Sequence, residues 1–363
     1  MKKNYVTLEE VCVKGSSNIA QKDLENNEGR YPIYGASGFI KNVDFYAQDK
    51  SYIAVVKDGA GIGRTMMLPA YSSVIGTMQY LLPKDNIDIG YLYYAVTAMN
   101  LAKYYTGATI PHIYFKDYRK EKMPVVDKIE QKKIVEVLSK IDALVICHKR
   151  QLDDFEVLVK SRFIEMFGDK DYPHKKLAEV ACICSSKRIY ANEYVSEGVP
   201  FYRSKEIREL GDGKRPSVEL FISSEKYNFL KARFGVPQKG DILIAAIGAT
   251  IGYMWVINTD NPFYYKDGNL ILISDFRELN SMYLEFVLKK LISKFKEQGA
   301  AGSAQLALTI EKVEKMEVAV PPIELQNQFA DFVEQVNKSK LEVQKSLEEL
   351  ETLKKSLMQQ YFG

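Results

Sequence analysis

"IEQKKIVEVLSKIDALVICHKRQLDDFEVLVKSRFIEMF", residues 129–167, contains no glycine or proline. A second segment of this kind, "IELQNQFADFVEQVNKSKLEVQKSLEELETLKKSLMQQYF", covers residues 323–362. Both segments carry apolar residues at alternating spacings of four and three positions, which is the pattern of a coiled coil. A helix of about 39 residues would be roughly 58 Å long and, with so narrow an apolar stripe, would need a partner. Each segment is the obvious partner of the other.

The positions expected to face the other helix form a seam in each segment. The apolar seam residues are Ile134, Leu138, Ile141, Val145, Leu152, Phe155 and Val159 in the first segment, and Phe329, Val333, Val336, Val343, Leu347, Leu350 and Leu357 in the second. His148 and Arg162 interrupt the first series, and Lys340 and Lys354 interrupt the second. We expect such residues to set the register or to extend toward solvent.

The chain also contains an internal duplication. Four matches occur in the same order: "YPIYG" from Tyr31 with "VPFYR" from Val199, "GAGIG" from Gly59 with "GATIG" from Gly248, "GYLYYAV" from Gly90 with "MYLEFVL" from Met282, and "GATIPHIYFKDYRKEKM" from Gly107 with "GSAQLALTIEKVEKMEV" from Gly302. The offset between the copies only grows along the chain, as expected when the second copy carries insertions. Most of the extra length falls between Tyr202 and Gly248.

The duplication and the helices together predict the fold class. We expect an α+β protein in which two similar mixed α/β domains are separated by two long helices that form an antiparallel coiled coil. The antiparallel direction lets the second helix return toward the first domain, which gives the molecule pseudo-two-fold symmetry. The predicted boundaries are 1–127 for the first domain, 128–168 for the central helix, 169–321 for the second domain and 322–363 for the C-terminal helix.

The glycine-rich stretch "VVKDGAGIGRTMML", Val55–Leu68, resembles a cofactor-binding loop at first sight. Its counterpart in the second copy also lies between two apolar runs, which favours a strand–loop–strand connection over the strand–loop–helix order of a phosphate loop. The stretch also lacks the Gly-Lys-Ser/Thr ending. We therefore interpret the glycines as residues that allow a positive φ or a close backbone approach.

Composition excludes several other classes of protein. The 363 residues suggest two or three domains, and the net charge of +3 requires any basic surface to be local. The uncharged apolar stretch Ile242–Ile257 is broken by glycines and too short to span a membrane. The chain has four cysteines without a Cys-x-x-Cys motif and only three histidines, which argues against a zinc site. The few cysteines favour a cytoplasmic protein with reduced thiols.

The whole chain resembles the specificity subunit of a type I DNA restriction–modification system. The resemblance is carried by "YPIYGASGFIKNV" in the first copy, and by "GDILIAAIGATIGYMWVI" and "GSAQLALTIEKVEKMEVAVPPIELQNQ" in the second. The first copy departs from the pattern before its helix, where "MPVVDKIEQKKI" lacks the paired prolines Pro321 and Pro322.

The resemblance implies a non-catalytic subunit with two target-recognition domains, each reading half of a split site in double-stranded DNA. It implies that the helices set the gap between the half-sites and bind two modification subunits, which hold S-adenosylmethionine and methylate adenine. A restriction subunit that uses ATP and Mg would complete the nuclease. This chain is expected to bind no cofactor or metal itself and to have no membrane partner.

Three other functions stay open on the sequence alone. A stand-alone DNA adenine methyltransferase would rest on the glycine loop and on "NPFY", Asn261–Tyr264, which is similar to the Asn-Pro-Pro-Tyr motif of adenine methyltransferases. The chain could also be a structural coiled-coil protein, or the recognition subunit of a related system that cuts outside its site.

Candidate DNA contacts are basic, amide or aromatic side chains in predicted loops, because such groups reach phosphates and base edges. In the first domain these are Lys41, Lys57, Arg64, His112, Tyr114 and Lys116, and in the second they are Arg203, Lys205, Arg208, Lys214, Arg215 and Gln305. The second set is concentrated in "FYRSKEIRELGDGKRP", which falls in the inserted region and combines cations with aromatic residues.

Overall fold

The computed structural model describes residues 4–107, 111–168, 170–299 and 307–363. The chain divides into two compact units, one formed by Met1–Leu152 with Glu342–Gly363 and the other by Asp153–Leu341. Two helices of 40 residues, at 128–167 and 323–362, each contribute to both units. The domain boundaries that the sequence suggests stay a prediction.

The first unit is built around a four-stranded antiparallel sheet. Its elements are β1 (Asn4–Thr7), α1 (Leu8–Val11), β2 (Cys12–Ser16), β3 (Tyr31–Gly35), β4 (Gly38–Val43), β5 (Tyr52–Val56), β6 (Thr65–Leu68), β7 (Ser73–Val74), β8 (Met78–Pro83), α2 (Ile89–Ala98), α3 (Phe115–Tyr118), β9 (Lys122–Val125) and part of α4 (Lys128–Phe167). The sheet has the order β2-β8-β5-β6, a smaller sheet has the order β4-β3-β7 with β3 and β7 parallel, and β1 pairs with β9. Every residue of β5, "YIAVV", is buried, as its uninterrupted apolar run predicts.

The second unit repeats this topology. Its elements are β10 (His174–Lys176), α5 (Leu177–Val180), β11 (Cys182–Cys184), β12 (Tyr194–Val195), β13 (Val199–Tyr202), α6 (Ser204–Gly211), β14 (Phe221–Ile222), α7 (Ser224–Phe234), β15 (Ile242–Ala245), β16 (Met254–Val256), β17 (Tyr264–Tyr265), β18 (Leu270–Ser274), α8 (Ser281–Gly299), α9 (Ile310–Glu314), β19 (Glu317–Ala319) and part of α10 (Ile323–Phe362). The orders are β11-β18-β15-β16, β12-β14-β13-β17 with β13 and β17 parallel, and β10-β19. Helices α6 and α7 account for the extra length that the sequence places between Tyr202 and Gly248.

The two long helices pack against each other in antiparallel directions within the first unit. Lys149 Nζ lies 2.9 Å from Glu351 Oε1, and further toward the start of α4 Asp142 forms an ion pair with Lys354. The position along α4 falls as the position along α10 rises. At the far end Phe362 packs in the core with residues of the first turns of α4.

The same direction holds within the second unit. Lys340 Nζ lies 3.2 Å from Glu156 Oε1, and the rings of Phe163 and Phe329 lie 5.4 Å apart. The antiparallel helix pair and the two mixed α/β units confirm the predicted fold class. Each residue of the predicted seam is buried or half-buried, and Leu138 and Phe329 are fully buried.

Polar residues in the seam are matched by polar partners. His148 Nε2 lies 3.0 Å from Ser346 Oγ, and Lys340 and Lys354 pair with acidic residues of α4. Arg162 pairs with Glu165 on its own helix, and its guanidinium carbon lies 5.8 Å from the centre of the Phe332 ring. Polar pairs in an apolar seam disfavour shifted registers, because a shift would leave each polar residue without its partner on the other helix.

A buried glutamine fixes the start of α4. Gln131 is 1% exposed, and its Nε2 donates to the carbonyls of Val126, at 2.8 Å, and Asn86, at 3.3 Å. Its Oε1 accepts from the Asp88 amide at 2.8 Å. The turn that precedes α4 is held further by Asp127, whose Oδ1 accepts from the first helical amides. Asp127 thus caps the helix at the place where the paired prolines are absent.

A second buried glutamine fixes the start of α10. Gln326 is fully buried, and its Nε2 donates to the carbonyls of Pro321, at 2.8 Å, and Glu278, at 3.0 Å. Its Oε1 accepts from the Asn280 amide at 2.8 Å. The side chain therefore joins the helix to the strand end before it and to the loop before α8.

The glycine-rich stretches are tight connections between antiparallel strands, β5–β6 in the first unit and β15–β16 in the second. Gly63 has φ +79°, and a Cβ there would lie 2.5 Å from the Ala102 amide nitrogen. Gly252 has φ +83°, and a Cβ there would lie 2.6 Å from the Ile292 side chain. The predicted strand–loop–strand connection is confirmed in both units. Both glycines allow a positive φ and a close approach of neighbouring atoms to the backbone.

Two further observations concern only the residues that the structure describes. None of their helices combines the length and the apolar character needed to cross a membrane. Within the same residues, no group of three or more histidine, cysteine, aspartate or glutamate side chains is arranged to hold a metal ion.

Candidate functional site

In the first unit, the glycine turn is joined to the segment that leads into α3. The Gly59 amide donates to the Pro111 carbonyl at 3.0 Å, and the Ile113 amide donates to the Lys57 carbonyl at 2.9 Å. These bonds bring Lys57 beside residues that are more than fifty positions away in the sequence. The turn and this segment form one continuous surface of the unit.

Aromatic and charged side chains collect on this surface. The rings of His112 and Tyr114 lie 4.0 Å apart, and Lys116 Nζ lies 5.0 Å from the centre of the Tyr114 ring. Burial, together with the nearby Lys57 ammonium, lowers the pKa of His112. Its Nδ1 contacts the Asp58 carboxylate. The permanent cations of the cluster are the lysines.

Arg64 and Lys41 are each partly committed to the fold. Arg64 Nη1 donates to the Ala36 carbonyl at 3.0 Å, and the guanidinium packs against Gly61 in the glycine turn. Lys41, on β4, donates to the Leu24 carbonyl at 3.0 Å. Arg64 is exposed and keeps donors free for a ligand beside the turn, whereas Lys41 is half-buried.

In the second unit, two of the candidate cations are held by acidic neighbours. Arg203 Nη2 donates to Glu206 at 3.0 Å and to Glu219 at 2.9 Å, and Lys205 Nζ lies 2.8 Å from Glu219. Glu206 is fully buried. The hydrogen bonds from Lys205 and Arg203 lower the pKa of Glu219 to about 2. These two cations are therefore held by acidic side chains around α6. A ligand would have to compete with those side chains to bind them.

The remaining cations of this region lie at the surface. Lys205 and Arg208 lie on α6 rather than in a loop, because Glu206 accepts from the Arg203 amide and caps a helix there. The Arg208 guanidinium carbon lies 5.9 Å from the ring of Tyr253, next to the glycine turn of this unit. Lys214 pairs with Asp212, Arg215 is exposed, and Gln305 lies outside the described residues.

Each unit therefore places an exposed arginine beside its glycine turn, Arg64 in the first and Arg208 in the second. The pairing of Arg203 with Glu206 could have been suspected from the sequence, since Glu206 follows Arg203 at a helical spacing of three. No local sequence pattern predicts the pairing of Arg203 and Lys205 with Glu219.

Two of the four residues of the "NPFY" segment, Phe263 and Tyr264, belong to the core, whereas Asn261 and Pro262 are exposed. Phe263 is 4% exposed, and its ring is stacked on that of Tyr202 with the centroids 4.9 Å apart. Tyr264 is 2% exposed and lies on β17. A base-gripping motif must present its side chains to an open pocket, and these side chains face other protein groups.

A family model described as the type I restriction modification DNA specificity domain matches residues 2–156 and again 169–352. A putative type I restriction enzyme specificity subunit of Haemophilus influenzae is 24% identical over 342 residues, which covers 87% of this chain and 83% of that protein. The type I restriction enzyme MjaVIII specificity subunit of Methanocaldococcus jannaschii is 25% identical over 387 aligned positions and covers 95% and 88%, respectively.

Solved structures show the same fold. The type I restriction–modification S subunit from M. genitalium superposes with a TM-score of 0.69 at 18% identity, over 100% of this chain and 97% of that one. A chain from a study of complex assembly and conformational transition in the type I R-M system gives a TM-score of 0.58 at 15% identity, over 99% and 98%.

The matched family consists of specificity subunits, which recognise a DNA target and are not catalytic. The family model matches both copies of the duplicated unit, and the fold agrees over 97% of a solved member. The chain belongs to the type I restriction–modification DNA specificity family.

Proposed function

We propose that this chain reads a bipartite DNA target, with one half-site for each unit and a gap set by the pair of long helices. The observation that carries this proposal is the repeated topology, in which each unit contains the start of one long helix and the end of the other. Two readers on a fixed connection demand a fixed separation of their half-sites, as in other two-headed DNA-binding proteins.

The helices supply the docking surface for the partners in this proposal. Large apolar side chains on α4 and α10 are 40% to 70% exposed: Ile129, Val137, Leu144, Ile146, Val157, Leu158, Ile164, Leu341 and Leu353. We take these side chains as contact points for the partners, because apolar surface gains free energy when a partner covers it. Because the chain is duplicated, it offers similar surfaces twice, which suits two identical modification subunits.

The chemistry would belong to those partners. The modification subunits would bind S-adenosylmethionine and methylate an adenine extruded from the duplex. A restriction subunit that uses ATP and Mg would join the same assembly. This chain would supply the sequence selectivity through the surfaces beside its two glycine turns.

The stand-alone methyltransferase is disfavoured by two observations. The glycine turns connect antiparallel strands instead of leading into a helix, and Phe263 and Tyr264 of the "NPFY" segment are buried. Neither feature leaves an open pocket for a nucleobase or for a sulfonium cofactor at these positions.

The test is to map methylated adenines across the genome of cells that express the modification subunit with and without this chain. We expect one two-part motif with a constant gap, present only when both proteins are made. Methyl transfer and binding of labelled S-adenosylmethionine by the isolated chain would instead support the stand-alone enzyme. An assembled complex that retains no particular sequence from a random DNA pool would indicate a structural coiled-coil protein.

A further inference from the structure

Helix α7 carries two phenylalanines on its outer face, in a region of the second unit without a counterpart in the first. Its inner face is buried through Tyr227 and Leu230, which pack in a core cluster with Phe201. On the outside, 52% of Phe229 and 47% of Phe234 is exposed. None of the DNA contacts predicted from the sequence lies on this helix.

Two cations lie against these rings. The Arg233 guanidinium carbon lies 5.9 Å from the centre of the Phe229 ring and 5.4 Å from that of Phe234. Lys187 Nζ lies 4.8 Å from the centre of the Phe234 ring. Among the ion pairs of the described residues, none involves Arg233 or Lys187, although neighbouring cations such as Arg188 are paired. We call Lys187, Phe229, Arg233 and Phe234 the α7 surface.

The α7 surface is preformed, because the loop that carries Lys187 is fixed to the strands below it. Ser186 Oγ donates to the Tyr265 carbonyl at 2.7 Å, and the Lys187 amide donates to Tyr264 Oη at 2.9 Å. A surface that is already ordered loses less conformational entropy when it binds a ligand. Neither of its two positive charges has an acidic partner among the described residues that a ligand would first have to displace.

We propose that the α7 surface binds the backbone of the DNA duplex beside the second half-site. Lys187 and Arg233 would contact phosphates, while the rings of Phe229 and Phe234 would pack on deoxyribose or on thymine methyl groups in a groove. Alternating cations and flat apolar groups match the alternating phosphates and sugars of a nucleic-acid strand. This inference rests on the proposed function and adds a contact that only one of the two half-sites would have.

An acidic surface of a modification subunit could also attract these cations, but the duplication argues against it. Two identical subunits that dock on a duplicated chain would use surfaces present in both units. Helix α7 lies between β14 and β15, and no helix lies between β4 and β5 of the first unit. A contact present in only one unit fits a DNA half-site, because in the proposed function each unit meets its own half-site.

The test measures binding of the assembled complex of this chain and its modification subunits to its target duplex, over a range of KCl concentrations. The variants are K187Q/R233Q, F229A/F234A and a control, K239Q/K294Q, which removes two exposed lysines of the same unit. Each lost phosphate contact lowers the salt slope by about 0.9, so K187Q/R233Q should lower it by roughly 2. F229A/F234A should weaken binding about tenfold with little change in slope, since apolar contacts release no counterions.

Because the four side chains lie at the surface, each variant should keep the circular dichroism spectrum of the wild type. Wild-type affinity and salt slope in both variants would overturn the inference. Loss of the modification subunit from a variant on size-exclusion chromatography, with unchanged DNA binding by the remaining complex, would also overturn it and identify a protein contact. Failure of the wild-type complex to prefer its target over a scrambled duplex would instead overturn the proposed function.

Discussion

Gln131 and Gln326 make the same three hydrogen bonds in the two units. Each donates from Nε2 to the carbonyl five positions before it and to a carbonyl of the loop before α2 or α8. Each also accepts, at 2.8 Å, from an amide of that loop. Both side chains are buried, and their hydrogen bonds fix the first turn of α4 or α10 against the loop beside it.

Replacing Gln131 by leucine should lower the thermal stability of the first unit. The change leaves two backbone carbonyls and the Asp88 amide without partners in a buried site, and each unsatisfied group costs about 1–3 kcal/mol. We expect a lower melting transition in calorimetry and faster hydrogen exchange at Asp88. Gln151→Leu, on the exposed face of the same helix, is the matched control and should melt as the wild type does. Equal melting of both variants would contradict a structural role for Gln131.

The carboxylate of Glu219 should confer a stability that is lost in acid. Its folded pKa, about 2, lies below its ordinary value of 4.5, so the stabilisation is present above pH 4.5 and disappears as the pH falls toward 2. Replacing Lys205 by alanine removes the largest cause and should raise the pKa of Glu219, seen in a carbon-13 titration of the glutamates. Lys231→Ala, on α7, should leave that titration unchanged, and a midpoint that stays near 2 without Lys205 would refute the assignment.

Charge reversal at Arg208 should impair recognition of one half-site only. Arg208 is exposed beside the glycine turn of the second unit, whereas Arg203 is tied to a buried glutamate and its reversal would disturb the fold. We expect Arg208→Glu to cost about 1–3 kcal/mol in binding of the assembled complex to its full target. Duplexes in which either half-site is scrambled reveal which half the residue serves.

Lys239→Glu is the control for this variant, since Lys239 is exposed in the same unit near Glu334 of α10. It should leave the affinity for both half-sites close to that of the wild type. If Arg208→Glu weakens binding to the same extent whichever half is scrambled, the residue is a general phosphate contact.

Adding one heptad to each long helix should lengthen the gap in the target. Seven residues preserve the seam and extend a helix by about 10 Å, which corresponds to roughly three base pairs. Sequencing of methylated DNA would give the new motif. Insertion into α4 alone should abolish methylation, because it shifts the seam of one helix against the other. An unchanged gap after the double insertion would refute the proposal that the helices set it.

The architecture could be predicted because the same patterns occur twice. The heptad spacing indicates which residues of the long helices are covered, and the repeat shows that the two units share one topology. The order of the strands could not be read, because pairing such as that of β3 with β7 joins short segments through contacts that no local pattern records. The insertion of α6 and α7 was visible only as extra length.

The candidate site was harder to predict than the fold. Cations were visible in the sequence, but their partners were not: Glu219 neutralises Lys205 from fourteen positions away. The α7 surface could not be predicted from the sequence, because Phe229 and Phe234 resemble core residues. Only the burial of Tyr227 and Leu230 shows which side of the helix faces inward. Charge and exposure together, not charge alone, distinguish a free cation from a structural one.

The packing of Phe362 on Tyr91, with ring centroids 5.1 Å apart, has a consequence for synthesis on the ribosome. Residues 342–363 complete the core of the unit that emerges first, so its last contacts form only after the whole of the other unit has been translated. Until then the nascent first unit leaves the apolar surface around Tyr91 open for chaperones to cover.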